Sequence, residues 1–196
     1  MLIQLVGCVD SRKNYERQQV IMEFTVDSSL VNNEKSNFPE LGFTINFPLN
    51  FAKIETNDSL VRNVIARNQE QNVTLKEAYA SSNNKSFSFV FDLRGVTPNE
   101  YNIYRQGILD TANTVGSIWN STSVSTYNYS CLSIEQFLLY NNDYVCFKLV
   151  CQDRVTEFER RDFEIVYLLS RDFYQENIKS VESSIGSINC INTLNY

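Results

Sequence analysis

The chain has 196 residues, enough for one domain whose core needs neither metal nor disulfide to hold it. Hydrophobic residues make up 43% and charged residues 20%, a globular composition, and the net charge of -6 argues against a phosphate-backbone binder. The densest basic spot, Arg160-Arg161, is hemmed in by Glu157, Glu159, Asp162 and Glu164. The absence of histidine removes Ser-His-Asp and Cys-His triads, His-ligated zinc and the usual proton shuttle at neutral pH.

Residues Met1 to Gly7 are nearly all apolar or small, Cys8 follows, and the composition turns polar from Asp10 to Gln19. Leu5-Val6-Gly7-Cys8 resembles a bacterial lipobox, which implies cleavage before Cys8 and a lipid on that cysteine. An acylated Cys8 would anchor the protein to a membrane surface, with residues 8–19 as a polar linker that lets the domain stand off from it. The competing reading is a first β-strand over Leu2–Val9 with Cys8 as a small buried hydrophobe. The division expected is therefore a signal remnant at 1–7, the lipidated cysteine and linker at 8–19, and a single domain at 20–196.

Along that domain, Val20–Val26 suits a strand. Leu41–Phe47 alternates Leu41, Phe43, Ile45 and Phe47 on one face and is ended by Pro48, with a short extended piece from Phe51 to Ile54. Asn57–Gln69 carries a helical stripe of Leu60, Val61, Val64 and Ile65. Thr74-Leu75-Lys76-Glu77 has the capping-box pattern and predicts a short helix through Tyr79. Ser86–Arg94 is the clearest strand. Thr97-Pro98-Asn99-Glu100 opens a helix through about Val115. A meander follows: Ser123–Leu132, an ambiguous Ile134–Tyr140, a turn at Asn141–Asp143, and strands at Tyr144–Val150 and Phe163–Leu169, with a turn near Gln152–Asp153. Phe173–Ile188 closes the domain as a helix with Asp172 as its cap, and Asn189–Tyr196 reads as a tail or short docking strand. The fold class is α+β, an antiparallel sheet covered by helices.

Gly42-Phe43-Thr44-Ile45-Asn46-Phe47-Pro48, together with a carboxy-terminal helix closing on Ser184-Ile185 or Ser187-Ile188, resembles the PsbP-like family, over about residues 38 to 190. That family comprises the photosystem II extrinsic P subunit, Ran-binding relatives and small bacterial lipoproteins. The resemblance implies an α/β/α sandwich with a binding or scaffolding role and no catalytic residues to carry over. A cystatin-like or nuclear-transport-factor-like α+β fold is the structural alternative.

The residues with chemistry are few. If Cys8 carries lipid, Cys131, Cys146, Cys151 and Cys190 remain, an even set for disulfides in an oxidising compartment. Cys131 with Cys146 or Cys151 is the easier pairing across neighbouring strands, and four reduced, packed thiols are the alternative. A catalytic thiolate would need Lys148 or Arg154 beside it. Asp153, Glu157, Glu159, Asp162 and Glu164 read as a solvated strand edge, with a cation site or a carboxylate pair as the sharper alternative. Tyr127, Tyr129, Tyr140 and Tyr144 are candidates for a partner-binding aromatic patch. These readings predict a non-enzymatic binding or accessory module of the bacterial cell envelope. It would be lipid-anchored through Cys8, without cofactor, metal or nucleic acid, and its partner would be a protein or a hydrophobic ligand. A cytosolic partner-binding adaptor and a carboxylate-dependent hydrolase are the alternatives.

Overall fold

A computed structural model of the chain describes residues 20–21, 24–55, 57–68, 72–113, 119–153 and 161–191. Cys8, the 1–7 and 8–19 segments and the Leu2–Val9 strand alternative lie outside the described residues. Chain order runs β1 (Val20–Ile21), β2 (Ser36–Phe38), β3 (Phe43–Ile45), β4 (Phe51–Lys53), α1 (Ser59–Asn68), β5 (Thr74–Ser81) and β6 (Phe87–Asp92). It continues through α2 (Pro98–Asn113), β7 (Asn120–Tyr129), β8 (Leu132–Tyr140), β9 (Tyr144–Asp153), β10 (Phe163–Ser170), α3 (Tyr174–Gly186) and β11 (Asn189–Cys190).

Among the described residues the strands form two sheets. The large one has the order β1-β7-β8-β9-β10-β6-β5-β4 and the small one β11-β3-β2. All pairings are antiparallel except β1 with β7, where Val20 lies beside Tyr127 and Ile21 beside Asn128.

The large sheet is covered on both faces, because its central strands are apolar on both. In β10 the residues from Phe163 to Tyr167 are all buried. Its odd-numbered positions, Phe163, Ile165, Tyr167 and Leu169, face a core shared with the small sheet and α3, including Phe38, Phe43, Ile45, Val181 and Ile185. Val166 and Leu168 face the opposite core with Phe87, Phe89 and Phe91 of β6, Val61 of α1 and Ile108 of α2. Period-two alternation on each strand thus divides its side chains between two cores. The architecture is α+β, with α1 and α2 over one face and α3 with the small sheet over the other.

Local chemistry explains where several elements begin. The Thr97 capping box closes reciprocally: the Thr97 amide donates to Glu100 Oε2 at 2.7 Å and the Glu100 amide to Thr97 Oγ1 at 3.3 Å. Asn141 Oδ1 accepts from the amides of Asp143 and Tyr144 and holds the β8–β9 turn. Gly42 takes a left-handed φ of 75° to end a 3-10 turn at Pro39–Leu41, so the Gly-Phe-x-Ile-x-Phe-Pro strand starts only at Phe43.

Three expectations are corrected. Thr74–Tyr79 is not a helix but most of β5. Pairing with β4 and β6 places Ala78 and Ala80 in one core and Tyr79 in the other, and that burial outweighs a local cap signal. The strand read through Leu132 breaks at Ser130–Cys131, where Ser130 has φ 53° and the chain turns back into β8. Asp172 is exposed and makes no cap; a 3-10 turn at Arg171–Phe173 leads into α3 instead.

Phe43 ties the layers together. Its ring stacks at 4.0 Å on Phe163 of the large sheet and at 4.9 Å on Phe38 of the small one, with no surface exposed. Phe43→Ala is expected to cost about 3–5 kcal/mol of unfolding free energy. Urea denaturation checks this, and a loss below about 1 kcal/mol would show that the small sheet is not held through Phe43.

Candidate functional site

Helix α2 lies over the ends of β7, β8 and β9, and a cleft of about 390 Å³ opens between them. Its walls are Tyr101, Asn102 and Arg105 from α2 and Thr126, Ser133, Glu135 and Gln152 from the strands, with Val150 as a buried apolar floor. The strand residues share this face by alternation: Thr126 pairs with Glu135, and Glu135 with Val150.

One wall of the cleft is an ion pair. Arg105 Nε donates to Glu135 Oε1 at 2.7 Å and to Oε2 at 2.9 Å, and Nη2 lies 2.6 Å from Oε1. Such a bidentate fork is both strong and oriented. The Tyr101 hydroxyl adds a longer contact to Glu135 Oε2 at 3.4 Å. Burial and the neighbouring Glu135 charge push the Tyr101 phenol well above its ordinary pKa, so it stays protonated and a donor.

Further along the same face a carboxylate is buried beside a half-buried lysine. Glu164 is 1% exposed, and Lys148 of β9 sits beside it with Nζ 3.0 Å from Oε1. Lys148 also donates to the Tyr104 hydroxyl at 3.1 Å and lies 5.0 Å from the centre of that ring, while the Tyr104 hydroxyl donates to Glu164 Oε2. Burial alone would lower the Lys148 pKa, but Glu164 and Tyr104 beside it raise it. Carboxylate, ammonium and phenol therefore satisfy one another.

The sequence-singled residues are scattered. The structure joins Cys131 to Cys190 in a disulfide, Cα atoms 6.2 Å apart, tying the β7–β8 turn to β11. Cys131 does not pair with Cys146 or Cys151, because it lies in the turn outside the sheet. Both of those are free thiols on β9, Cys151 in the small-sheet core and Cys146 in the helix-side core. Burial pushes the Cys146 thiol up to about 12 despite the opposing pull of Lys148, and raises Cys151 as well. Neither is a thiolate near neutrality, and Lys148 is held by Glu164 rather than by Cys146.

The four tyrosines form no single patch. Tyr127 is buried and donates to Gln136, and Tyr129 is half-buried and donates to the Gly186 carbonyl. Tyr140 and Tyr144 flank the β8–β9 turn at the other end of the sheet, eight residues along β8, or roughly 27 Å at about 3.4 Å per residue. The acidic cluster is not a solvated edge where it is described: Asp162 and Glu164 are buried, and Asp153 belongs to β9. Glu157, Glu159 and Arg154 lie outside the described residues. Among the described residues no cluster of His, Cys, Asp and Glu is arranged to hold a metal ion, and no helix is long and apolar enough to cross a membrane.

Sequence reasoning passed over the residues that line the cleft. A signal was available only for the charges beside the cleft, as a charge at an inward position of an otherwise apolar strand: Lys148 in Tyr144–Val150 and Glu164 in Phe163–Leu169. Two such charges on adjacent strands point to a buried pair.

No protein-family model matches the sequence, and no curated protein matches it either. Among solved structures, the solution structure of cyanobacterial PsbP (CyanoP) from Synechocystis sp. PCC 6803 is similar over 80% of this chain and 91% of that one, at 8% sequence identity and a TM-score of 0.47. The likeness is one of fold, and no residue of the cleft is carried over from it.

In a Cys8→Ser background, Cys146 and Cys151 are expected to resist a colorimetric thiol reagent at pH 8 in the native state and to react together in denaturant. Rapid labelling of either in the native protein would contradict their burial and raised pKa.

Proposed function

We propose that the protein is a non-enzymatic binding module of the bacterial cell envelope, held at a membrane surface by lipid on Cys8, with the α2-side cleft as its binding site. The observation that carries the binding part is the pairing of charges in and beside the cleft. Glu135 is engaged by Arg105, and Glu164 by Lys148 and Tyr104. A general acid–base pair needs a group free to exchange its proton with a substrate, whereas these groups hold one another. The hydrolase alternative relied on the 157–164 carboxylates, and Glu164 faces a lysine rather than an open pocket. The cleft's polar lining suits a hydrogen-bonding ligand better than the hydrophobic one expected from the sequence.

The Cys131–Cys190 disulfide supports an oxidising compartment over the cytosolic alternative. The lipobox-like Leu5-Val6-Gly7-Cys8 supports the tether. Expressed from its own gene in its own host, the wild-type chain is expected in the membrane fraction, with an intact mass showing cleavage before Cys8 plus acyl chains. Cys8→Ser is expected to move it to the soluble fraction. A wild-type chain that retains Met1 and carries no lipid would overturn the tether and favour the cytosolic adaptor.

A further inference from the structure

We infer that the α2-side cleft binds an uncharged, hydroxyl-rich ligand, a short neutral saccharide. This rests on reading the cleft as the binding site and names the class of ligand it takes.

The first argument is electrostatic. The charged wall is neutral overall and already engaged: the Arg105 guanidinium forks onto Glu135 through three contacts of 2.6–2.9 Å. An anionic ligand would have to displace Glu135 from Arg105, and a cationic one Arg105 from Glu135. Either exchange leaves a partly buried charge without its partner, which is costly. An uncharged ligand leaves the pair intact.

The second argument is the hydrogen-bonding inventory. Asn102, Thr126, Ser133 and Gln152 line the same cleft, and among the described residues none of these side chains bonds another protein group. Two are carboxamides and two are hydroxyls, so each both donates and accepts. Adjacent sugar hydroxyls also do both, and a carboxamide matches such a pair with its oxygen and its NH₂. Val150 and the half-buried Tyr101 supply the small apolar surface on which the C–H face of a sugar ring can rest.

The third argument concerns the backbone. β8 lies between β7 and β9, and the lining segments pair with one another: Thr126 with Glu135, Ser133 with Gln152, Glu135 with Val150. The main-chain donors and acceptors of β8 and β9 belong to the sheet, and only Thr126, on β7 beyond the reach of β1, borders an edge among the described residues. An extended peptide would find no strand edge at Ser133, Glu135, Val150 or Gln152, whereas a saccharide needs only side chains. The volume of about 390 Å³ is within the range of small-ligand sites.

The test uses the full chain with Cys8→Ser, so that its outcome does not depend on lipidation. Backbone amide resonances are followed while maltose, cellobiose or N,N′-diacetylchitobiose is added, with glucuronate as the anionic control. At least one neutral disaccharide is expected to give saturable shifts centred on Asn102, Ser133 and Gln152, and to bind more tightly than glucuronate. Gln152→Ala should weaken that binding about tenfold, the loss of one hydrogen bond, with the rest of the spectrum unchanged. Asn102→Ala supplies an independent check on the helix side. No saturable shift with any of the three sugars, binding that both variants leave unchanged, or a preference for glucuronate would overturn the proposal. The membrane-tether reading stands or falls separately, on the partitioning of the wild-type chain.

Discussion

The structure depends on a sheet whose centre is buried on both faces. In β10 every residue from Phe163 to Tyr167 is inside, so each face needs a cover, and the covers differ. The small sheet and α3 meet an apolar face through the Phe38–Phe43–Phe163 stack. The face under α1 and α2 carries Glu164 in its middle, and an isolated carboxylate there would be prohibitive. Lys148 on β9 and Tyr104 on α2 compensate it together. The helix is thereby held to the sheet by a polar contact as well as by Ile108 and Leu109.

The functional reading follows from that arrangement. The charges of the helix-side face are used within the fold, which leaves the cleft at its end lined, beside the engaged Arg105–Glu135 pair, by neutral groups that both donate and accept. The thiols are divided in a similar way: two are sealed in separate cores, and two are joined where the β7–β8 turn meets β11. On the proposed reading, the cleft would offer a ligand shape and neutral hydrogen bonding rather than a reactive group. Two exposed apolar side chains, Ile103 at 72% and Val124 at 39%, lie on the same two elements, α2 and β7.

Much of the fold was legible where a signal was local. The Thr97 box, the Asn141 turn, the alternating phenylalanines of β6 and the stripe of α3 each name an element from a few neighbouring residues. Thr74–Glu77 failed because an equally local cap signal competed with pairing partners more than ten residues away, and those partners decide a strand. The cleft was not legible. Arg105 meets Glu135 across thirty positions of sequence, and Lys148 meets Glu164 only because β9 and β10 pair in a particular register. Tyr127, Tyr129, Tyr140 and Tyr144 lie close in sequence, but the turn at Ser130–Cys131 and the length of β8 separate them in the fold. Cys131 and Cys190 were visible as cysteines; their proximity comes from β11 docking on β3 beside the turn.

A double-mutant cycle on Lys148 and Glu164 tests the account most directly. Lys148→Met is predicted to cost about 3–5 kcal/mol in urea unfolding, because it leaves Glu164 buried without its partner, and Glu164→Leu to cost less, because Lys148 keeps 20% of its side chain exposed. The double variant is predicted to recover most of that loss, as an apolar pair of similar volume. If instead the two costs add, the charges are stabilised independently, and the neutral, self-satisfied helix-side face on which the binding reading rests does not exist.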